Sequence, residues 1–269
     1  MNNDPPTIRT VNVTRYVTPL REGSSLPAIV EADDDGLYVL KFRGAGHGVK
    51  ALIAELVAGE IGRALGLRVP EIVFANLDAA MSHMEPDPEI QDLLRASAGL
   101  NLALDYLPGS VTFTPVAESV DAALASLIVW FDCFIMNVDR TPRNTNLLVW
   151  HKNVWLIDHG ASLYFHHAWD NWETQSRSPF PAVKDHILLP YASSLDAADA
   201  ELRTRLTPDL MLAIVSLIPD GWLEEIVPAM DPTLSTGGKR EVYLRFLQER
   251  LTVSSTFVGE AQHARQRRI

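Results

Sequence analysis

The chain has 269 residues, 47% of them hydrophobic, enough to bury a sizeable core and to exclude disorder as a general description. Its 34 acidic against 23 basic residues give a formal net charge of -11, which repels phosphate backbones and anionic lipid and argues against nucleic acid or a membrane surface as the main partner. The single cysteine, Cys133, permits no internal disulfide, and its setting in IVWFDCFIM reads as a buried, inert thiol.

The N-terminal MNNDPPTIRT carries neither a basic region nor an apolar core, and the longest apolar run, about eleven residues, contains Asp132. Neither a signal peptide nor a membrane span is expected, and a reducing, cytoplasmic setting fits. The basic ending HARQRRI reads as a solvated tail.

Short β-like runs come first: residues 10–17, 27–32 and 36–43, the last bracketed by the turn signals DDDG and GAGHG. A helix over 51–67, stopped at Gly66, follows, and strand-like alternation resumes over 68–77. HMEPDPEIQD reads as a loop, and LNLALDYLPGS, 100–110, as a strand ending in a Pro-Gly turn. From there the periodicity is helical except over 144–158. These patterns predict an α+β chain with a boundary near Tyr106: an N-terminal antiparallel β-sheet lobe with one main helix over 1–105, and a mostly helical C-terminal lobe over 106–269. A helix of about eighteen residues is expected from an N-cap at Ser119, with Asp121 in its first turn, to Asn137.

Directly after that helix, VDRTPRNTN packs one acid, two arginines and two asparagines into nine residues. NLLVW and VWLID flank the loop His151, Lys152 and Asn153, which reads as a hairpin. If Trp150 pairs with Val154, Asn146 falls opposite Asp158 and Asn144 lies beside Gly160. Asp139 arrives at the same end, so two carboxylates and two amides collect with Arg140 and Arg143. Such oxygen donors suit a divalent cation that keeps positions open for phosphate oxygens and water. The same residues would equally serve as a buried polar network that closes the hairpin.

D-x-x-x-x-N, here Asp139 to Asn144, is the spacing of a phosphotransferase catalytic loop, and an Asp-x-Gly, Asp158 to Gly160, follows across the hairpin. Such a site also needs a strand lysine fixed by a helix carboxylate. In GLYVLKFR, Tyr38, Leu40 and Phe42 share one face and Val39, Lys41 and Arg43 the other, so Lys41 is a charge in an apolar strand; an edge-strand lysine that discourages aggregation has the same look. On the next helix Glu55 shares its face with Ala51, Ala58, Gly59 and Gly62, whereas Glu60 looks like the partner of Arg63 in a surface pair. Gly23, Ser24 and Ser25 offer a phosphate-covering turn, although they lack G-x-G-x-x-G and an ordinary hairpin turn fits as well. Asp132, in its apolar helix, needs donors, for which the backbone of the loop after it is the nearest source; it reads as support rather than chemistry. A histidine metal site from His159, His166 and His167 has the residue types but no supporting spacing.

With Lys41, Glu55, Asp139, Asn144 and Asp158 in order, with GRALGLRVPE, NVDRTPRN and LIDHG, the chain resembles the HipA-like kinases over roughly residues 20–165. These are a bacterial branch of the two-lobed protein-kinase-like fold, related to phosphatidylinositol kinases. The resemblance implies that Lys41 contacts ATP phosphates and pairs with Glu55, that backbone near Asp105 and Tyr106 meets adenine, that Asp139 is the catalytic acid, and that Asn144 and Asp158 hold Mg2+. It further implies transfer of the γ-phosphoryl group of ATP to a hydroxyl, by analogy a protein serine or threonine, with a regulatory or antitoxin partner as a further prospect. A small-molecule or lipid acceptor, or a non-catalytic nucleotide-binding module, are the other readings. The chain departs from the pattern at Thr141, where many relatives carry histidine, and at His159, where protein kinases carry phenylalanine. It is also much shorter than the toxin for which the family is named.

Overall fold

The computed structural model describes residues 6–20, 26–115, 120–227 and 231–268. Five strands, β1 (Thr10–Pro19), β2 (Ala28–Ala32), β3 (Leu37–Lys41), β4 (Ile72–Leu77) and β5 (Gly99–Asp105), close into a barrel in the order β1-β2-β3-β5-β4. Two helices interrupt the run, α1 (Val49–Ala64) between β3 and β4, and α2 (Pro88–Ala96) between β4 and β5.

The N-terminal sheet is therefore not simply antiparallel. Thr10, Val11 and Asn12 of β1 pair in parallel with Phe74, Ala75 and Asn76 of β4, and this one parallel seam joins what would otherwise be two free edges. Two register shifts in β1 against β2 supply the extra bend. The expected loop HMEPDPEIQD is also corrected, because α2 begins inside it. Asp87 caps the helix by accepting from the Glu89 N–H at 3.0 Å, and Pro88 occupies its first turn, where a missing N–H costs nothing.

Alternation in the strands sorts side chains between two cores. Tyr38, Leu40 and Phe42 fill the barrel with Val73 and Ala103, whereas Leu102, Leu104 and Ile72 point outward onto α1. That outer core continues without a break into the C-terminal helices, so α1 is buried on nearly all sides. Glu60 goes with it: it lies 3.2 Å from Arg63 as expected, but it is buried rather than on the surface.

The central helix of the second half is α3 (Ala122–Ile135). Its cap is Asp121, which accepts from the Leu124 N–H at 2.8 Å; Ser119, the expected cap, lies outside the described residues. The helix ends at Met136 in a left-handed conformation, and the polar loop begins there. A three-stranded sheet follows, from β6 (Val111–Thr112), β7 (Leu147–Trp150) and β8 (Asn153–Leu156), ordered β6-β7-β8. Among the described residues six further α-helices follow: α4 (Trp172–Ser176), α5 (Leu195–Arg205), α6 (Pro208–Ser216), α7 (Asp220–Glu225), α8 (Thr236–Thr252) and α9 (Ser254–Gln266).

Arg250 of α8 locks this half together. Fully buried and without a carboxylate partner among the described residues, its guanidinium donates to the carbonyls of Cys133 and Phe134 in the last turn of α3, to that of Ser176 at the end of α4 and to that of Ser178. Burial lowers its pKa to about 10, yet it stays cationic and complements the negative end of a helix that has no basic residue in its own last turn. Arg250→Met is expected to lower stability by at least about 3 kcal/mol, because several buried carbonyls lose a charged donor at once. Urea denaturation checks it, Arg250→Lys should recover part of the loss, and an unchanged midpoint would refute the role.

Candidate active site

Lys41 ends β3 on the face opposite the barrel interior, and α1 packs across that face. Its Nζ lies 2.7 Å from Asp158 Oδ1 and 3.7 Å from Glu55 Oε2. Burial works against the ammonium, but the two carboxylates outweigh it and hold the Lys41 pKa above its ordinary value.

Glu55 is almost fully buried and has a second partner. His159 donates its backbone N–H to Glu55 Oε2 at 3.0 Å, and its ring Nδ1 stands 3.2 Å from Oε1. Burial raises the Glu55 pKa, but the Lys41 charge and the His159 bonds bring it down to about 2. An ionised Glu55 assigns the proton to His159 Nδ1. The His159 ring edge rests on Phe131 at 5.7 Å, so an imidazole here has both an apolar seat and a carboxylate. Gly160 then runs along the first turns of α1, its Cα substituent position 3.6 Å from the Ala51 carbonyl.

The hairpin differs by one residue from its expected register. Trp150 pairs with Asn153, not Val154, across a two-residue turn in which His151 and Lys152 both have positive φ. Asn146 is consequently opposite Ile157, which donates its N–H to the Asn146 carbonyl at 3.1 Å. A one-residue slip would normally send the side chains to opposite faces. Here Asn146 and Asp158 both take left-handed backbone, at φ 47° and 56°, and the chain twists at each end of the hairpin. Asn146 Nδ2 thus still reaches the Asp158 carbonyl at 3.4 Å and Asp139 Oδ2 at 3.2 Å.

Asp139 Oδ2 also accepts from Asn144 Nδ2 at 2.6 Å, and the Asp139 N–H donates to Asn137 Oδ1 at 3.1 Å. Burial raises the Asp139 pKa, the Asn146 bond opposes it, and the nearby Asp158 adds to the rise. The amide orientation leaves Asn144 Oδ1 turned away from Asp139 and able to face a cation. Asp158 is 41% exposed at its side chain.

Behind this loop lies a charge network whose donors are side chains, not the loop backbone expected for Asp132. The Asp132 carboxylate accepts from Arg140 Nε at 2.5 Å, from His186 Nε2 at 2.8 Å and from Asn137 Nδ2 at 3.0 Å, all buried. Arg140 also donates to the Asn146 carbonyl, so of the two undecided arginines it is the structural one; Arg143 is exposed. His186 Nδ1 accepts the Leu188 N–H at 3.0 Å, which assigns its proton to Nε2. Burial raises the Asp132 pKa, but Arg140 and His186 pull it well below the carboxylate range.

Asp105 and Tyr106 sit at the end of β5, beyond the strand's outward leucines. Their N–H groups are already given to the Glu71 carbonyl at 2.8 Å and the Leu37 carbonyl at 2.9 Å, so neither is free to donate to a ligand. Gly23, Ser24 and Ser25 lie outside the described residues. The histidine metal grouping is not formed: Glu55 engages His159, and among the described residues no three His, Cys, Asp or Glu side chains are arranged to hold an ion. Sequence reasoning missed Asn137 and His186. Asn137 was readable as the polar residue at the end of an apolar helix; His186, 54 residues from Asp132, carries no local signal.

A strand lysine held by a helix carboxylate, facing an Asp–Asn loop and a hairpin-end aspartate, is the layout of a kinase-type phosphotransferase. The HipA-like kinase model matches residues 13–243, and the chain belongs to that family. No curated protein matches it. Among solved structures it is similar to the Helicobacter pylori proinflammatory kinase CtkA, with a TM-score of 0.58 and 14% identity over 96% of this chain and 99% of that one. It is also similar to the Golgi casein kinase with Mn/ADP bound, with a TM-score of 0.50 and 12% identity over 94% of this chain and 73% of that one.

Asp132→Asn strands the buried Arg140 charge and is expected to cost about 3–5 kcal/mol at pH 7. Because the folded pKa of Asp132 is depressed, its contribution is complete above the unfolded value of about 3.9 and fades as pH falls toward the folded one. The deficit of the variant in urea denaturation should therefore be smaller at pH 3 than at pH 7. Equal deficits would place the stabilising charge elsewhere.

Proposed function

We propose that the chain is an ATP-dependent kinase that transfers the γ-phosphoryl group to a hydroxyl, with a protein serine or threonine as acceptor. The observation that carries this reading is the meeting of Lys41, Glu55, Asp139, Asn144 and Asp158, from four separate segments, in one cluster whose two bonded groups are joined through Asn146. The nucleotide would lie between a barrel lobe and a helical lobe divided near residue 105, an arrangement that would make the chain two-lobed in the kinase sense.

Lys41 is poised for phosphate oxygens: its charge is secured by Glu55, and its nearer contact, Asp158, is partly exposed and exchangeable. Asp158 and Asn144 would hold Mg2+, and the donor chemistry fits, since an exposed carboxylate and an amide oxygen leave most of an octahedral shell to phosphates and water. A bound Mg2+ supplies neutralisation of the phosphate charge. Asp139, fixed by two amides and with a raised pKa, would accept a hydrogen bond from the acceptor hydroxyl, orient it in line with the phosphorus and take its proton as the new P–O bond forms and the bond from the γ-phosphorus to ADP breaks. The Golgi casein kinase structure, with Mn/ADP, supports a nucleotide and a divalent cation at a site of this fold. A cytoplasmic location fits the absence, among the described residues, of any helix long and apolar enough to cross a membrane.

The test is a thermal shift with ATP and Mg2+, joined to transfer of labelled phosphate. The parent protein should gain a metal-dependent shift. Asp158→Ala should abolish it, and Asp139→Asn should keep binding while lowering turnover at least about 100-fold. No shift in the parent would refute the nucleotide reading, and transfer only to small molecules would refute the protein acceptor.

A further inference from the structure

In a chain of net charge -11, one place gathers cationic and imidazole groups with no carboxylate among them. At the start of α1, Gly48 supplies no side-chain cap and the first turn contains no acid. At this helix end the Gly48 N–H goes to the Ala45 carbonyl and the Ala51 N–H to the Gly48 carbonyl, so among the described residues the Val49 and Lys50 N–H groups are left to carry its partial positive charge. Lys50, in that turn, makes no ion pair among the described residues, and partial burial lowers its pKa.

Three histidines surround this helix end. The His47 and His167 rings are 4.8 Å apart and those of His167 and His166 4.6 Å, each pair edge to face. His166 is fully buried, and its Nδ1 lies 3.0 Å from the Tyr243 hydroxyl. Burial keeps that phenol protonated, and with its hydroxyl donating to Nδ1 the proton of His166 sits on Nε2. Nε2 is buried with no partner among the described residues. It leaves the ring on the side away from Tyr243, and the ionisable groups that act on the ring are His167, Lys50 and His47. An unanswered buried N–H of this kind calls for an acceptor.

We propose that the N-terminus of α1, with Lys50, His47, His167 and the Nε2–H of His166, forms a binding site for a phosphoryl group. Every group in the cluster can donate, and Lys50 with the helix end repels cations. A tetrahedral oxyanion with several acceptor oxygens and up to two charges matches that donor set better than a single carboxylate does. The site lies apart from the Lys41 centre, since Glu55 is five residues farther along α1, about 7.5 Å of helix rise. The inference goes beyond phosphoryl transfer and does not depend on it. The group could arrive on a small molecule or on a phosphorylated side chain, and both present the same chemistry.

The experiment titrates the full chain with inorganic phosphate at constant ionic strength set by chloride, and reads the thermal midpoint. The parent midpoint should rise with phosphate, and Lys50→Met and His167→Gln should weaken the response at least tenfold in apparent affinity. Both positions are only partly buried, so these variants keep the test open if His166→Phe fails to fold. Lys41→Met should retain the response. Absence of any response in the parent, or a response lost with Lys41→Met and kept by Lys50→Met, would overturn the site. A phosphoserine peptide compared with its unphosphorylated form identifies the source: tighter binding than phosphate through Lys50 and His167 marks a protein-borne group, and no gain over phosphate marks a small molecule. Failure of ATP and Mg2+ to bind would leave this result standing, because the readout is phosphate alone.

Discussion

A buried carboxylate organises this molecule. Glu55 is taken out of water on α1, and an ionised side chain in that position is tolerable only if charge and hydrogen bonds replace its hydration. Lys41 supplies the charge from β3, and His159 supplies two donors from the stretch after β8. Three segments distant in sequence are thereby fixed to one another by the cost of leaving Glu55 unsatisfied. The barrel, the long helix and the hairpin end cannot move apart without exposing that cost.

The loop that bears Asp139 is held by a second network of the same kind. Asp132 collects Arg140, His186 and Asn137, and Arg140 reaches on to the Asn146 carbonyl. Asn146 in turn holds Asp139. Arg250 secures the helix end from which the loop departs. The loop itself has little regular structure, so its geometry comes from charges behind it rather than from a strand or helix of its own. This is how a loop carboxylate can be held in place while remaining partly open to solvent.

Much of this was legible in the sequence where one periodicity dominated. Alternation in GLYVLKFR separated the barrel face from Lys41, and the small residues around Glu55 marked the face that a neighbouring backbone approaches. The parallel seam of β1 with β4 was not legible, because it depends on closing the barrel through contacts more than sixty residues apart. The hairpin register was misread by one residue, since His151 and Lys152 adopt a two-residue turn without the glycine or asparagine that announces one. The convergence of Asn146 and Asp158 survived that error only because both residues take left-handed backbone, which a strand pattern does not show. His186 was invisible for the same reason as the barrel seam: its partner is remote in sequence.

The two contacts of Lys41 are unequal in a way that distance alone conceals. Asp158 is nearer, at 2.7 Å against 3.7 Å, but its side chain is 41% exposed, whereas Glu55 is 2% exposed. Water screens the first pair and not the second, so the stronger electrostatic hold on Lys41 comes from the farther carboxylate. On the proposed reading, Lys41 would exchange Asp158 for a phosphate oxygen at small cost while Glu55 keeps it oriented. The same exchange would free Asp158 to turn toward a cation. On the proposed reading, the buried Glu55 is the fixed partner of Lys41 and the solvated Asp158 the temporary one.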